Sequence, residues 1–350
     1  MKYRIAFAGS STHSQMIAAT LAADERFEIP FSLCPAPAKV GRHQELRQSP
    51  LQVWSEEQGI PVFSVTEKIQ RQEYFDFTQD KEAIDFLFVV DFGFYIPAWL
   101  LELPKIAPVN LHPSLLPAWR GSSPGQFALL FRDFQGLQQG KILGGRQSGI
   151  TLMVMSQSFD QGPIIFQLPF LIQDNWQQTE YYQFAFSLIA PQLPDLLANF
   201  AQGNLQALSQ PLQSPTPLAR RLSKEDSFVD WQILKQLLET PKDAVPKQTD
   251  LKDYNLQNLD FFQEKGLLMR LLLNEEFCHS PFDQSLFLHS ALAAFQPWPG
   301  VWTIIKTTKG ELRMKILSSK VGPKLLNLDQ VQIEGKNPGR FSDFQNLLVS

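Results

Sequence analysis

The chain has 350 residues, 44% of them hydrophobic and 19% charged, with a formal net charge of −4 at pH 7, enough chain for two domains with proper cores. No apolar run approaches the roughly 18 residues that span a bilayer as a helix, and the first strand pattern begins at residue 3; a cytoplasmic protein without a secretory or transit segment is therefore expected. The two cysteines, Cys34 and Cys278, lie far apart without a CxxC pattern or histidines at ligand spacing, so reduced thiols are expected, and neither a disulfide framework nor a metal.

In chain order, strand patterns fall at 3–7, 27–33, 86–90, 108–111, 149–155 and 164–171, and helical patterns at 14–22, 50–58, 67–79, 97–103, 124–132 and 179–202. This alternation predicts an α/β fold with a doubly wound, mostly parallel sheet, whose ligands bind beyond the carboxyl ends of the strands. The turn at 8–12, AGSST, follows the first strand and precedes a helix, but it has one glycine where a dinucleotide fingerprint needs three, and no acidic residue follows the second strand. A nicotinamide cofactor is not expected. Past Gly203, Pro211, Pro215 and Pro217 stand among Gln and Ser and read as a linker. The predicted organisation is a catalytic domain at 1–204, a linker at 205–218 and a second domain at 219–350, with strands at 302–307, 312–317 and 331–334. The stretch 242–290, polar at first and then apolar, reads as an insertion of unassigned role.

The candidate site lies in NLHPSLLPAWRG, residues 110–121. Strand residues two apart point to one face, so Asn110 and His112 share a site at the end of an apolar strand. Downstream, the apolar run GITLMVM at 149–155 leads into a turn that carries Asp160. Amide, imidazole and carboxylate together suit the attack of an amine on a carbonyl. An amide donor and an imidazolium stabilise the oxygen on which negative charge collects, and removing one such donor typically costs on the order of a hundredfold or more. The carboxylate holds the imidazolium and helps pass the amine's proton to the leaving group. Each residue alone has a bland reading, as a turn former or a hydrogen-bonded loop residue; the joint pattern and the apolar, proline-bracketed segment of Ser114, Leu115, Leu116 and Pro117, suited to a flat ligand, favour a site.

These residues resemble the signature of the folate-dependent formyltransferases, Asn-x-His followed by Ser-Leu-Leu-Pro and a later Asp-x-Gly. The continuation Trp119, Arg120, Gly121 is similar to the branch that acts on methionyl-tRNA. Further likeness lies at 3–9 (YRIAFAG), 49–63 (SPLQVWSEEQGIPVF), 89–97 (VVDFGFYIP), 221–231 (RLSKEDSFVDW) and 294–303 (AFQPWPGVWT), so the resemblance spans most of the chain. It implies a formyltransferase-like Rossmann variant followed by a small barrel of the oligonucleotide-binding (OB) type. It also implies transfer of a formyl group from the co-substrate 10-formyltetrahydrofolate to the free amine of initiator methionyl-tRNA, by a monomer that needs no metal. Asn110, His112 and Asp160 would be catalytic, and Ser114 to Pro117 would border the folate. A formyltransferase for a small amine, such as an amino-sugar nucleotide, and a noncatalytic RNA-binding relative are the alternatives.

Charge bears on the choice of substrate. Residues 1–205 carry 14 Lys plus Arg against 19 Asp plus Glu, net −5, and residues 206–350 carry 17 against 16, net +1. Locally the bias is sharper. Lys306, Lys309, Arg313, Lys315, Lys320 and Lys324 face only Glu311 within 301–324, which is either a ribbon contacting phosphates or an ordinary solvated strand surface. The resemblance places a second RNA contact at Arg42, in a loop where His43, Gln44 and Glu45 replace the family's basic continuation. Asp91, Phe92 and Gly93 stand where Ala-Tyr-Gly is more frequent near the folate pocket; Asp91 there either bonds the amino edge of a pterin or faces solvent.

Overall fold

The computed structural model describes residues 2–40, 44–69, 84–133, 135–138, 141–240, 263–274, 278, 280–308, 310–320 and 326–347. The predicted helix at 67–79, Arg42, Lys309, Lys324 and the polar part of the 242–290 stretch therefore lie wholly or largely outside the described residues. The chain divides into two compact units. One comprises Met1–Pro117, Gly149–Pro169 and Tyr182–Leu212; the other comprises Ala118–Ser148, Phe170–Tyr181 and Gln213–Ser350.

The strands up to the linker are β1 (Tyr3–Gly9), β2 (Phe27–Glu28), β3 (Ser32–Pro35), β4 (Ala38–Val40), β5 (Glu45–Arg47), β6 (Val62–Val65), β7 (Phe86–Val90), β8 (Ala107–His112), β9 (Gln135–Gln138), β10 (Lys141–Gly144), β11 (Gln147–Val154) and β12 (Ile164–Leu171). The main sheet runs in the order β12-β11-β8-β7-β1-β3-β6, with β2 beside β1. Pairs β1–β3, β3–β6, β1–β7 and β7–β8 are parallel, and β8–β11 is antiparallel. The predicted mostly parallel α/β sheet is thus observed. From β1 the chain winds outward through β3 and β6, then returns to the other side of β1 through β7 and β8. The topological switch point falls between β1 and β7.

Both faces of this sheet are covered, which is why its central strands read as continuous apolar runs. All five residues of β7, FLFVV, are buried. Ala6, Ala8, Leu33, Val65, Leu87 and Val89 belong to the core on one face. The alternate residues Phe7 and Phe88 stack with ring centroids 5.5 Å apart. Helix α1 (Thr12–Ala22) starts at Ser11, whose hydroxyl accepts from the amides of His13 and Ser14. The buried Ser14 hydroxyl donates to the Val90 carbonyl at 2.7 Å, drawing α1 onto the end of β7. A Cβ at Gly9 would lie 2.5 Å from Ser14 Cβ and 2.7 Å from the Val90 oxygen, so only glycine permits this approach.

Two predicted elements are divided. The strand expected at 27–33 is split into β2 and β3 around Pro30, which has no amide for a sheet ladder. The helix expected at 179–202 is broken into Gln178–Ile189 and Leu193–Ala201, joined by a 3-10 turn at Ala190–Gln192; Pro191 and Pro194 remove the amides that would have bridged them.

In the second unit, β13 (Trp302–Thr307), β14 (Gly310–Lys320), β15 (Asn327–Ile333) and β16 (Gly339–Arg340) form a four-stranded antiparallel sheet in sequence order. The expectation near the carboxyl end is a small barrel of the oligonucleotide-binding type; the unit observed there is this small antiparallel sheet. The apolar part of the 242–290 stretch forms helix Leu267–Leu273 and enters helix Pro281–Phe295, which carries buried Phe287, Leu288, Ala291, Ala294 and Phe295. Within RLSKEDSFVDW, Asp226 is fully buried. Burial alone would raise its pKa, yet the Arg220 guanidinium and the amides of Ser223 and Leu267 hold it below the ordinary carboxylate range. Arg220 grips both carboxylate oxygens at 2.7 and 2.9 Å. The motif is therefore a folded knot around one buried charge.

His289 is half-buried in Pro281–Phe295, with Nδ1 3.2 Å from Ser319 Oγ. Burial and then the Arg132 guanidinium push its pKa below the usual histidine value, against the opposing pull of Asp133 and Asp174. Unfolded, the imidazole titrates near 6.5, so on acidification the unfolded state takes up the proton first. The stability that His289 contributes is present above that pH and is lost as pH falls through the folded value. Melting curves between pH 7.5 and 5 are expected to show a falling Tm, and the fall is expected to be shallower in His289→Gln.

Candidate active site

Strand β8 presents Asn110 and His112 on one face, with His112 as its last residue. Val89 of β7 lies beside Asn110 on one side; on the other, Met153 and Thr151 of β11 pair with Asn110 and His112. Paired residues in a ladder share a face, so Thr151 and Met153 complete the surface that the two polar groups occupy. His112 is buried, with 4% of its surface exposed.

Asp160 lies in the turn between β11 and β12, with Oδ1 3.7 Å from His112 Nδ1. That spacing is an ion-pair distance, longer than a hydrogen bond. Asp160 has φ +53°, a left-handed conformation that aspartate tolerates better than most residues. Gln210 Nε2 donates to the carbonyls of Asp160 at 3.0 Å and Gly162 at 2.7 Å, clamping the turn. A Cβ at Gly162 would stand 1.8 Å from the Val154 oxygen, so the turn cannot close with any other residue there. The structure thus brings Asn110 and His112, at the carboxyl end of β8, together with Asp160 of the turn that follows β11.

The segment from Ser114 to Pro117 is held mainly through its backbone. Thr151 Oγ1 donates to the Ser114 carbonyl at 2.6 Å and accepts from the Leu116 amide at 3.2 Å. Gln167 Nε2 donates to the Leu116 carbonyl at 2.9 Å and to Thr151 Oγ1 at 3.0 Å. Ser114 and Leu116 are buried, while Leu115 and Pro117 are half-exposed. Thr151, Gln167 and Gln210 escaped the reading of the sequence. Their signal was a lone polar residue in each of two apolar strands, and a glutamine in a linker.

Trp119, Arg120 and Gly121 serve as a fastening within the second unit. The Trp119 amide donates to Thr216 Oγ1 at 2.6 Å, Ala219 exchanges backbone hydrogen bonds with Arg120 and Ser123, and the Trp119 ring stacks on Phe131 at 5.4 Å. Asp91 neither stands alone in solvent nor lacks partners. Its Oδ2 accepts from Ser11 Oγ at 2.7 Å and lies 3.1 Å from His13 Nδ1.

Of the expected basic ribbon, Lys306, Arg313 and Lys315 are described and exposed. The register pairs Trp302 with Lys315, Ile304 with Arg313 and Lys306 with Glu311, which sets all three cations on one face of the β13–β14 pair. The Arg313 guanidinium lies 4.5 Å over the Trp302 ring, which braces it by a cation–π contact. Lys320 pairs with Asp329 at 3.3 Å.

Asn110, His112 and Asp160 thus gather an amide, an imidazole and a carboxylate at one edge of the α/β sheet. The family pattern for formyl transferases matches residues 3–186, and the chain belongs to that family. It is 26% identical over 322 residues to the methionyl-tRNA formyltransferase of Bartonella henselae, covering 92% of this chain and 82% of that protein. Among solved structures, it resembles a 4-N formyltransferase from Francisella tularensis with a TM-score of 0.51 and 12% identity, over 88% of this chain and 94% of that one. A sugar N-formyltransferase from a Shewanella species gives 0.50 and 12%, over 91% and 99%. Among the described residues, no helix is long and apolar enough to cross a membrane.

Thr151 is fully buried, and its one hydroxyl serves three partners. Thr151→Val keeps the shape and removes all three bonds, so a loss of about 1–3 kcal/mol is expected in urea titration with an unchanged slope. A midpoint equal to that of the parent would show that the loop is held by other means.

Proposed function

We propose that this formyltransferase moves the formyl group of 10-formyltetrahydrofolate to the free amine of methionine esterified to initiator tRNA. The observation that carries the reading is the His112–Asp160 pair, with Asn110 two residues before His112 at the carboxyl end of β8. The amine has an unperturbed pKa of about 8 and is appreciably neutral near pH 7. Its lone pair attacks the formyl carbon, and the carbonyl electrons move onto oxygen. The Asn110 amide and the His112 imidazolium donate to that oxyanion. Asp160 faces Nδ1 of His112, orients the ring and takes part in carrying the proton from the attacking nitrogen to the leaving N10. Collapse of the intermediate breaks the bond from carbon to N10 and releases tetrahydrofolate. Because the backbone groups of Ser114 and Leu116 already bond to Thr151 and Gln167, the folate would meet this loop mainly through half-exposed Leu115 and Pro117.

The choice of a charged tRNA rests on two further points. The methionyl-tRNA enzyme of Bartonella henselae aligns with 92% of the chain, more than residues 1–204 alone would give. The carboxy-terminal β unit presents Lys306, Arg313 and Lys315 on one strand face, suited to phosphates. Residues 1–204 would hold the chemistry and 219–350 the RNA contacts, with Arg42 and Lys309 adding to them.

Incubation with 10-formyltetrahydrofolate and methionine-charged initiator tRNA is expected to yield formylmethionyl-tRNA. Asn110→Ala, His112→Ala and Asp160→Asn are each expected to lower the rate by about a hundredfold or more; rates within a few fold of the parent would sink the assignment of roles. Transfer confined to an amino-sugar nucleotide would replace the tRNA reading with the small-amine one, and RNA binding without folate binding would leave a noncatalytic relative. In a separate experiment, Arg313→Glu with Lys315→Glu is expected to raise the KM for charged tRNA and flatten its salt dependence, leaving the KM for the folate unchanged.

A further inference from the structure

The turn that carries Asp160 lies beyond the ladder of the sheet. Its last rungs are the Val154 amide on the Pro163 carbonyl at 2.9 Å and the Met155 amide on the Pro108 carbonyl at 2.8 Å. Past them, Ser156 Oγ donates to the Ser158 carbonyl at 2.9 Å, and the Gln161 amide reaches the same carbonyl at 3.4 Å. Phe159 meets the Tyr95 ring edge-on at 6.2 Å but is 69% exposed, so burial anchors it weakly. Asp160 approaches His112 at 3.7 Å, beyond hydrogen-bond range. That contact does not lock the turn either.

Further support comes from the stretch at 205–218, whose composition marks it as a linker. Leu208 exchanges both backbone hydrogen bonds with Ile164, the first residue of β12, each at 2.8 Å. The bridge is antiparallel, so Gln210, two residues on, stands opposite Gly162. The Gln210 amide nitrogen carries two N–H groups and donates to the carbonyls of both Asp160 and Gly162, at 3.0 and 2.7 Å. These carbonyls lie on either side of Gln161, so one group spans the backbone that follows Asp160, the residue with φ +53°. Leu208 and Leu212 are 70% and 90% exposed; polar bonds, more than apolar burial, hold this stretch in place. The first unit ends at Leu212. The last stretch of chain before the second unit therefore grips the turn of Asp160.

We propose that Gln210 is a positioning residue for formyl transfer. Through the Asp160 and Gly162 carbonyls it sets the Asp160 carboxylate against His112, so the linker governs the chemical step without touching donor or acceptor. The inference rests on the formyl-transfer reading above. Misplacing a reacting group by about 1 Å costs on the order of a hundredfold in rate, and a turn released at two carbonyls can shift its carboxylate by that much.

Gln210→Met keeps the length of the side chain and removes both donors, while Gln210→Glu keeps its shape and turns only acceptors to the two carbonyls. In both variants kcat is expected to fall about tenfold to a hundredfold, with KM for 10-formyltetrahydrofolate and for methionyl initiator tRNA within about twofold of the parent values. The decisive comparison adds Asp160→Asn. If Gln210 acts through the carboxylate, Gln210→Met slows the Asp160→Asn protein by no more than about twofold, whereas a merely structural loss would recur in full in that background. A kcat within about twofold of the parent in both variants, a loss that falls on KM, or an undiminished loss beside Asp160→Asn would overturn the proposal. If the parent formylates an amino-sugar nucleotide instead of charged tRNA, the choice of acceptor fails by itself and the same comparison runs with that amine. A parent that formylates neither overturns the transfer reading and this inference together.

Discussion

The register between β8 and β11 is the constraint on which the site depends. Because side chains alternate across a sheet, a slip of one residue would send Asn110 and His112 to the opposite face from Thr151 and Met153. It would also move the start of the turn that carries Asp160, since Val154 ends β11 and pairs with Val109. The antiparallel pairing therefore does two things at once. It gives His112 a neighbour whose hydroxyl secures the adjoining loop, and it delivers a carboxylate to the imidazole from a segment some fifty residues downstream. The close approach of Gly162 to Val154 and the clamp from Gln210 then stop that turn from opening.

The second unit is organised by a buried charge with complete partners. Asp226 takes hydrogen bonds from one guanidinium and two amides, which is the condition under which a buried carboxylate is tolerated. Removing a partner would strand a charge, so the surrounding motif is constrained without any part in chemistry. Trp119 to Gly121 is similar in kind. Its backbone bonds to Thr216 and Ala219 make it an element of folding, even though it adjoins the loop expected to face the folate. Likeness to a functional signature therefore mixes residues that react with residues that only hold.

Family membership and substrate are separate matters for this fold. The proteins that this chain resembles are named a methionyl-tRNA formyltransferase, a 4-N formyltransferase and a sugar N-formyltransferase, so likeness to them does not by itself name the acceptor. In this chain the β13–β14 pair gathers Lys306, Arg313 and Lys315 on one face.

The sequence by itself determined the alternating strands and helices, the mostly parallel sheet, and the nomination of Asn110, His112 and Asp160, because these follow from local periodicity and from residue types at strand ends. It also carried the signal for β7 and β12, whose predicted bounds match those observed, since continuous apolar runs between turn residues leave little freedom. Tertiary structure decided what depends on segments distant in the chain. Local patterns could not show that Thr151, Gln167 and Gln210 hold the site, because each acts through a backbone group or hydroxyl that periodicity does not mark. Nor could they show that Asp91 is joined to Ser11 and His13, some eighty residues earlier, since that meeting requires β1 and β7 to pair in one register. A hydrogen bond needs its two groups within about 3 Å, and for residues so far apart only the folded sheet supplies that proximity.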